Sequence, residues 1–262
     1  MPSTLLLLSM LAASQDLPVS SAQPRTVEAG GFRHAVSAGE PDWTGAQLTA
    51  MWNPPARVRP VFGLEWQTRR DRSQLMGSAG AYVDWSSRFY TFQTIAIGEH
   101  VPQDARYYPL QRGDIRGFLK LPRHEQVVAA AGFTLLTFGN SQTAQIYNGG
   151  LLYYRGKSIL QVTAYVNHTH PGSLLSGAGN IAVQRGAEGR GWYGGSVSAG
   201  REVYRLGAGL GVANADFTTL TASAFARKWL TPAIGVHSFV EFQRVLDSYS
   251  RLGVTSRVFV NF

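Results

Sequence analysis

Read back from the carboxyl terminus, apolar and polar residues alternate. Phe262, Val260, Val258, Val254 and Leu252 fall on one side of an extended chain, and Asn261, Arg257, Thr255 and Gly253 fall on the other. A period of two marks a strand with one apolar and one polar face. The pattern recurs upstream. Phe62, Leu64 and Trp66 oppose Gly63, Glu65, Gln67 and Arg69, while Ile115, Leu119 and Leu121 oppose Asp114, Arg116 and Lys120. Leu160, Val162, Ala164 and Val166 oppose Gln161, Thr163, Tyr165 and Asn167, and Ile234, Val236, Val240 and Phe242 oppose Gly235, His237, Glu241 and Gln243. Segments 88–98 and 142–154 alternate poorly, which leaves their facing open.

Turn signals divide the chain into candidate strands at 31–40, 45–53, 59–69, 72–84, 88–98, 112–120, 125–138, 142–154, 158–168, 174–184, 190–199, 215–228, 233–244 and 250–262. That makes about fourteen strands, or twelve if two weak ones are lost. The last strand alone also fits the edge of a soluble sandwich. Charges alternating with Leu and Val within strands do not fit a sandwich core, but they suit a wall with lipid on one side and a watery lumen on the other.

The connections sort by parity. With both termini periplasmic, the even-numbered connections are tight, as at Asn53-Pro-Pro-Ala56, Leu121-Pro-Arg-His124 and Arg155-Gly-Lys157. The longest, Glu99–Gln111 and Gly200–Asn214, fall on the odd, external side. Short periplasmic turns and longer outer loops are the asymmetry of outer-membrane barrels. The expected fold class is all-β: a transmembrane, antiparallel, up-and-down β-barrel of about 14 strands with periplasmic termini. Aromatics near the segment ends (Trp43, Trp52, Trp85, Tyr107, Tyr108, Tyr153, Tyr154, Trp192, Trp229, Phe262) are placed for interfacial girdles.

Composition narrows the function classes. No apolar run approaches the ~20 residues of a membrane helix. Cysteine is absent, which excludes thiol catalysis, Cys-ligated zinc and iron–sulfur centres. The net charge of +8 comes almost wholly from arginine, since only Lys120, Lys157 and Lys228 are lysine. These arginines are spread along the chain with no basic helix or cluster among aromatics. That distribution suits a lumen or an anionic headgroup zone rather than nucleic acid. The amino terminus carries a short apolar run, Leu5–Leu8, and the small residues Ser20-Ser-Ala22. It reads as a signal peptide over 1–22, followed by a polar linker over 23–30 and the barrel domain over 31–262. Its n-region lacks Lys and Arg, so either the α-amino group supplies the charge or the true start lies upstream.

From Tyr82 through Tyr204 the order of features resembles the YaiO-type outer-membrane β-barrel family. The carrying stretches are Ser87-Arg-Phe-Tyr-Thr-Phe-Gln-Thr-Ile-Ala-Ile-Gly98, His124-Glu-Gln-Val-Val-Ala-Ala-Ala-Gly-Phe133 and Gly149-Gly-Leu-Leu-Tyr-Tyr-Arg-Gly-Lys-Ser-Ile-Leu160. These are glycine and aromatic strand patterns, so the resemblance implies fold and outer-membrane location rather than an activity. Related barrels are sometimes fused to helical repeats in polysaccharide export. This chain has no such repeats, so an export role implies a separate periplasmic partner. The terminal strand, with Val258, Val260 and Phe262, also resembles the membrane-insertion signature of outer-membrane barrels. It implies recognition by the barrel-assembly machinery and a setting of outer-membrane lipid and lipopolysaccharide in a Gram-negative bacterium.

The expected function is a passive channel or export conduit for small anionic solutes or acidic glycan, with a basic lumen. Lumen-lining candidates are Glu65, Gln67, Arg69, Arg72, Asp114, Arg116, Lys120, Gln161, Asn167, Arg190, His237, Glu241 and Arg257, with Arg112 and Arg244 as further basic positions. Arginine holds its charge and pairs bidentately with carboxylate, phosphate or sulfate. The same residues pairing with Glu65, Asp84, Asp114 and Glu241 would instead close the barrel. No cofactor or metal is expected: Asn167-His-Thr-His170 holds only paired histidines and reads as a solvated outer loop. Acids and histidines near the loops (Glu99, His100, Asp104, Asp114, Asp216, Asp247) have no fixed frame, so a rim hydrolase is the least favoured reading.

Overall fold

The computed structural model describes residues 25–37, 41–54, 56–69, 72–101, 108–139, 142–205 and 214–262. The expected signal peptide lies outside them. Fourteen strands follow in chain order. The first seven are β1 (Arg25–Val36), β2 (Trp43–Trp52), β3 (Val58–Arg69), β4 (Arg72–Asp84), β5 (Phe89–Gly98), β6 (Gln111–Leu121) and β7 (His124–Gly139). The rest are β8 (Gln142–Arg155), β9 (Ser158–His170), β10 (Leu174–Ala187), β11 (Gly191–Arg205), β12 (Asn214–Trp229), β13 (Ile234–Val245) and β14 (Tyr249–Asn261). Each pairs antiparallel with its chain neighbours, and β1 closes on β14 from Thr26↔Asn261 to Val36↔Arg251. Closure leaves no strand edge unpaired, which hydrocarbon demands.

The start of β1 and the end of β14 stand at one end of the barrel. The strand-to-strand intervals there are 53–57, 85–88, 122–123, 156–157, 188–190 and 230–233, and the longest intervals, 99–110 and 206–213, separate strand ends at the other. Local chemistry sets the short turns. Gly156 adopts φ +59° between paired Arg155 and Ser158. The Ser86 hydroxyl accepts from the Phe89 amide (3.0 Å), and that of Thr231 accepts from Ile234 (3.0 Å).

Three boundaries differ from the sequence expectation. β1 starts at Arg25, inside the stretch read as a linker, because Thr26 through Gly30 pair with β14 on one side and β2 on the other. β11 runs on to Arg205, since Arg201–Arg205 pair with Asn214–Thr218. The Asn167–His170 stretch is strand, not loop, held between β8 and β10.

The outer face is a belt of exposed Leu, Ile, Val and Phe, among them Ile95 (67%), Leu175 (68%) and Val183 (54%). A continuous apolar belt of this kind belongs in lipid. Trp52, Trp85, Tyr153 and Phe262 stand exposed near its ends. The other end aromatics correct the girdle expectation. Tyr108 and Trp229 are buried, while Trp43, Tyr154 and Trp192 pack against inner residues. Tyr107 lies outside the described residues.

The inner face is not uniformly polar. Phe118, Val128, Ala130, Leu152 and Ile159 form a buried patch, with Tyr90, Phe92, Tyr154 and Trp192 against it. Leu136, Ala144 and Ile146 form another. From β5 to β9 the inner wall therefore carries apolar patches beside polar and charged side chains such as Arg112, Asp114 and Asn167. Through β12, β13, β14 and β1 it carries charge inside.

Candidate functional site: the barrel interior

Lumen-facing positions recur every second residue, so each strand contributes a column of inner side chains. Where columns from the two edges of the closure meet, the charges interlock. Glu28 on β1 is buried, and its carboxylate accepts from Arg227 Nη1 of β12 (2.5 Å) and Arg257 Nη1 of β14 (3.2 Å). His237 Nδ1 of β13 lies 2.8 Å from the same carboxylate. One carboxylate thus ties the first strand to the last three. The Arg227 guanidinium lies 3.7 Å from the centre of the Phe259 ring, which is fully buried. Thr26 donates to Asn261 across the same seam (2.8 Å).

Nearer the loop end, Arg251 pairs with Glu241, both almost wholly buried. Trp43 serves as a platform for two guanidinium groups, Arg69 at 3.6 Å and Arg251 at 5.0 Å from the ring centre. Arg69 also donates to the Gln67 side chain (3.2 Å). Across the lumen, Asp114 accepts from Arg112 Nε (2.7 Å) and from the hydroxyls of Thr94 (3.0 Å) and Thr134 (2.7 Å). Tyr108, just before β6, is buried on the lumen side. Its hydroxyl donates to Glu65 (2.6 Å) and its amide to Gln74 Oε1 (2.9 Å).

The termini end opens instead into a cavity of about 740 Å³. Arg57, Arg59, Lys120, Asp84 and Glu125 line it together with Tyr82, Tyr90, Phe118, Val128, Leu152 and Tyr154. Arg59 pairs with Asp84 (2.7 Å), and the Tyr90 and Phe118 rings stack at 4.6 Å with 7° between planes.

The sequence-derived candidates fall into three groups. Glu65, Gln67, Arg69, Asp114, Gln161, His237, Glu241 and Arg257 line the interior and bond there, with Gln161 donating to Thr163 (3.1 Å). Asn167 is buried on the inner side of β9, Arg116 lies 5.4 Å from the Phe118 ring, and Lys120 borders the cavity. Two basic positions do not line the lumen, and a third stands only at its rim. Arg190 is exposed in the β10–β11 turn, Arg244 is exposed among the outward residues of β13, and Arg72 stands exposed at the rim opposite Arg69. Val258, Val260 and Phe262 point outward, as the alternation requires.

Sequence reasoning missed Glu28, Arg59, Arg227, Arg251 and the burial of Tyr108. The signal for two of them was local: Glu28 lies between Val27 and Ala29, and Arg227 between Phe225 and Trp229 in one alternating column. Among the described residues, no group of three His, Cys, Asp or Glu side chains would hold a metal ion. His168 and His170 stand with ring centres 4.3 Å apart. Asp104 lies outside the described residues.

The profile of the YaiO membrane beta barrel domain matches residues 25–205. Among solved structures the chain is similar to one titled bacterial polysaccharide outer membrane secretin, at 8% identity and TM-score 0.59 over 92% of this chain and 99% of that one. It is also similar to the CymD monoaromatic hydrocarbon channel (6%, TM-score 0.59, 92% and 89%). A third likeness is to the translocator domain of autotransporter NalP from Neisseria meningitidis (12%, TM-score 0.54, 97% and 94%). At such identities the likeness shows the fold. No curated protein matches the chain.

Proposed function

The chain belongs to the YaiO membrane beta barrel domain family and is a protein of the bacterial outer membrane, and from that premise we propose that it is a passive conduit for small anionic solutes or acidic glycan. One observation carries this reading. Among the described residues, the inner wall presents Arg59, Arg69, Arg112, Arg116, Lys120, Arg227, Arg251 and Arg257 against Glu28, Glu65, Asp84, Asp114 and Glu241. The cation excess lies within low-dielectric walls, where it favours anions over cations. With the termini in the periplasm, the 740 Å³ cavity faces that side and receives cargo there. As an export route it draws cargo from a separate periplasmic partner, and its terminal strand is read by the barrel-assembly machinery.

A second reading rests on the loop end. Gln67, Gln74, Tyr108, Ile146, Gln243 and Val245 are all buried there, which favours a barrel closed at rest and used as a surface or structural element. Among the described residues, no assembled acid–base frame supports a rim hydrolase. Planar-bilayer recording of the refolded chain in a KCl gradient separates the readings. Stable steps with chloride preference support the conduit, and Arg116→Glu then moves selectivity toward cations. Silence from correctly folded protein leaves the closed barrel.

A further inference from the structure

Resting on the conduit reading, the chemistry of the termini-end cavity narrows what it takes. We propose that this cavity is a binding site for small ring carboxylates, with the flat apolar ring inside and the carboxylate at the mouth. The argument starts from how polarity is ordered with depth. In β6, Lys120 lies next to the turn and Phe118 one inner step deeper. In β3 and β4, Arg59 and Asp84 stand at the same rim, with Tyr82 next inward. Cations therefore stand at the entrance with Phe118 beyond Lys120, while Val128, in register with Lys120, and Leu152, in register with Val128, form a buried apolar wall beside them.

The apolar wall selects the body of the ligand. Phe118, Val128 and Leu152 offer no donor or acceptor, so a polyhydroxylated sugar would leave hydroxyls unpaired against them, at a desolvation penalty. A flat ring meets no such penalty. It also finds aromatic faces in Tyr90, Phe118 and Tyr154, the first two already parallel, and offset stacking extends that arrangement. A cavity of 740 Å³ lies within the range of about 300–1,000 Å³ typical of small-molecule sites.

The mouth selects the charge. Arg59 uses one nitrogen on Asp84, while its Nε–H is buried with no hydrogen-bond partner. Lys120 makes no ion pair among the described residues. Glu125 is drawn toward Arg88 (3.8 Å), away from competing for the rim cations. An incoming carboxylate finds a guanidinium and an ammonium whose charge is not fully matched.

The test is fluorine NMR of 4-fluorobenzoate with the refolded chain in nanodiscs, which reads binding without requiring conduction. The expected result is broadening of the probe signal by the wild-type chain, competition by benzoate, and little competition by acetate or benzyl alcohol at equal concentration. Arg59→Gln and Lys120→Gln each weaken binding about tenfold, the loss of one charge-assisted contact of ~1.4 kcal/mol. Arg244→Gln, on the outer face at the other end, leaves it unchanged. Heat-modifiable migration verifies folding of every variant. Acetate competing as well as benzoate overturns the proposal, because the site is then only an anion funnel. Benzyl alcohol binding as well overturns it from the other side, as does an absence of broadening with folded protein. Conduction without probe binding refutes the ring-carboxylate site and spares the conduit, while binding without conduction does the reverse.

Discussion

Replacing Glu28 with alanine removes the one acceptor shared by Arg227, His237 and Arg257. The two guanidinium groups keep their charge and their burial. Deleting one partner of a buried pair costs about 3–5 kcal/mol, because the remaining charge is left uncompensated. Arg257 is 23% exposed in its side chain, so water recovers part of the loss and the lower end, about 3 kcal/mol, is expected. Urea unfolding in lipid vesicles, followed by tryptophan emission and heat-modifiable migration, reads the effect. At about 1–3 kcal/mol per molar urea, the midpoint falls by about 1–3 M. Glu28→Gln keeps the volume and one acceptor oxygen and falls between the two. Adding Arg227→Met to Glu28→Ala restores part of the loss, since an apolar pair replaces a stranded charge. An unchanged midpoint for Glu28→Ala would refute the claim that this carboxylate fastens the seam.

Three further outcomes test other parts of the structure. Val240→Arg, outward at the middle of β13, destabilises the protein by about 2–4 kcal/mol in vesicles, while Leu160→Arg, close to a strand end, costs about 0–1; equal costs would contradict the assigned membrane band. Gly30→Val prevents formation of the heat-modifiable form, because a Cβ there would lie 2.0 Å from Ser256 O and 2.5 Å from Arg257 Cα, both backbone atoms. Gly179→Ala, with nothing within 4 Å, folds normally, and failure of both would show that the assay does not report on contact. Tyr108→Phe takes the donor from Glu65 and lowers stability by about 1–3 kcal/mol, read by the same urea titration.

Strand number and facing were legible wherever the two faces differ in polarity. Phe62-Gly-Leu-Glu-Trp-Gln67 declares its outer side because lipid and lumen ask for different chemistry at alternate positions. The same rule is silent in 88–98 and 142–154, where Phe92, Ile146 and Leu152 are apolar residues on the inner face. Alternation detects contrast, and there is none to detect when both sides are apolar. The interior partnerships were less legible still. Glu28 meets Arg227 across 199 residues of sequence, and no local spacing encodes a contact made only once the sheet has closed on itself. The linker reading over 23–30 failed for a related reason: Gly30 is where two backbones come too close for a side chain, a contact made only by the closed sheet.

That seam also shapes how the protein must assemble. Its hydrogen bonds join groups as far as 237 residues apart, from Arg25 to Phe262, so the last contacts to form are the most distant in the chain. Every earlier intermediate carries two raw edges, which hydrocarbon cannot solvate. A ladder that grows strand by strand within the bilayer is therefore penalised until its end. Sheet growth sheltered from lipid, followed by a single closing event, avoids that penalty. The rate of appearance of the folded protein should follow the meeting of its first and last strands, and should be insensitive to how readily the middle hairpins form.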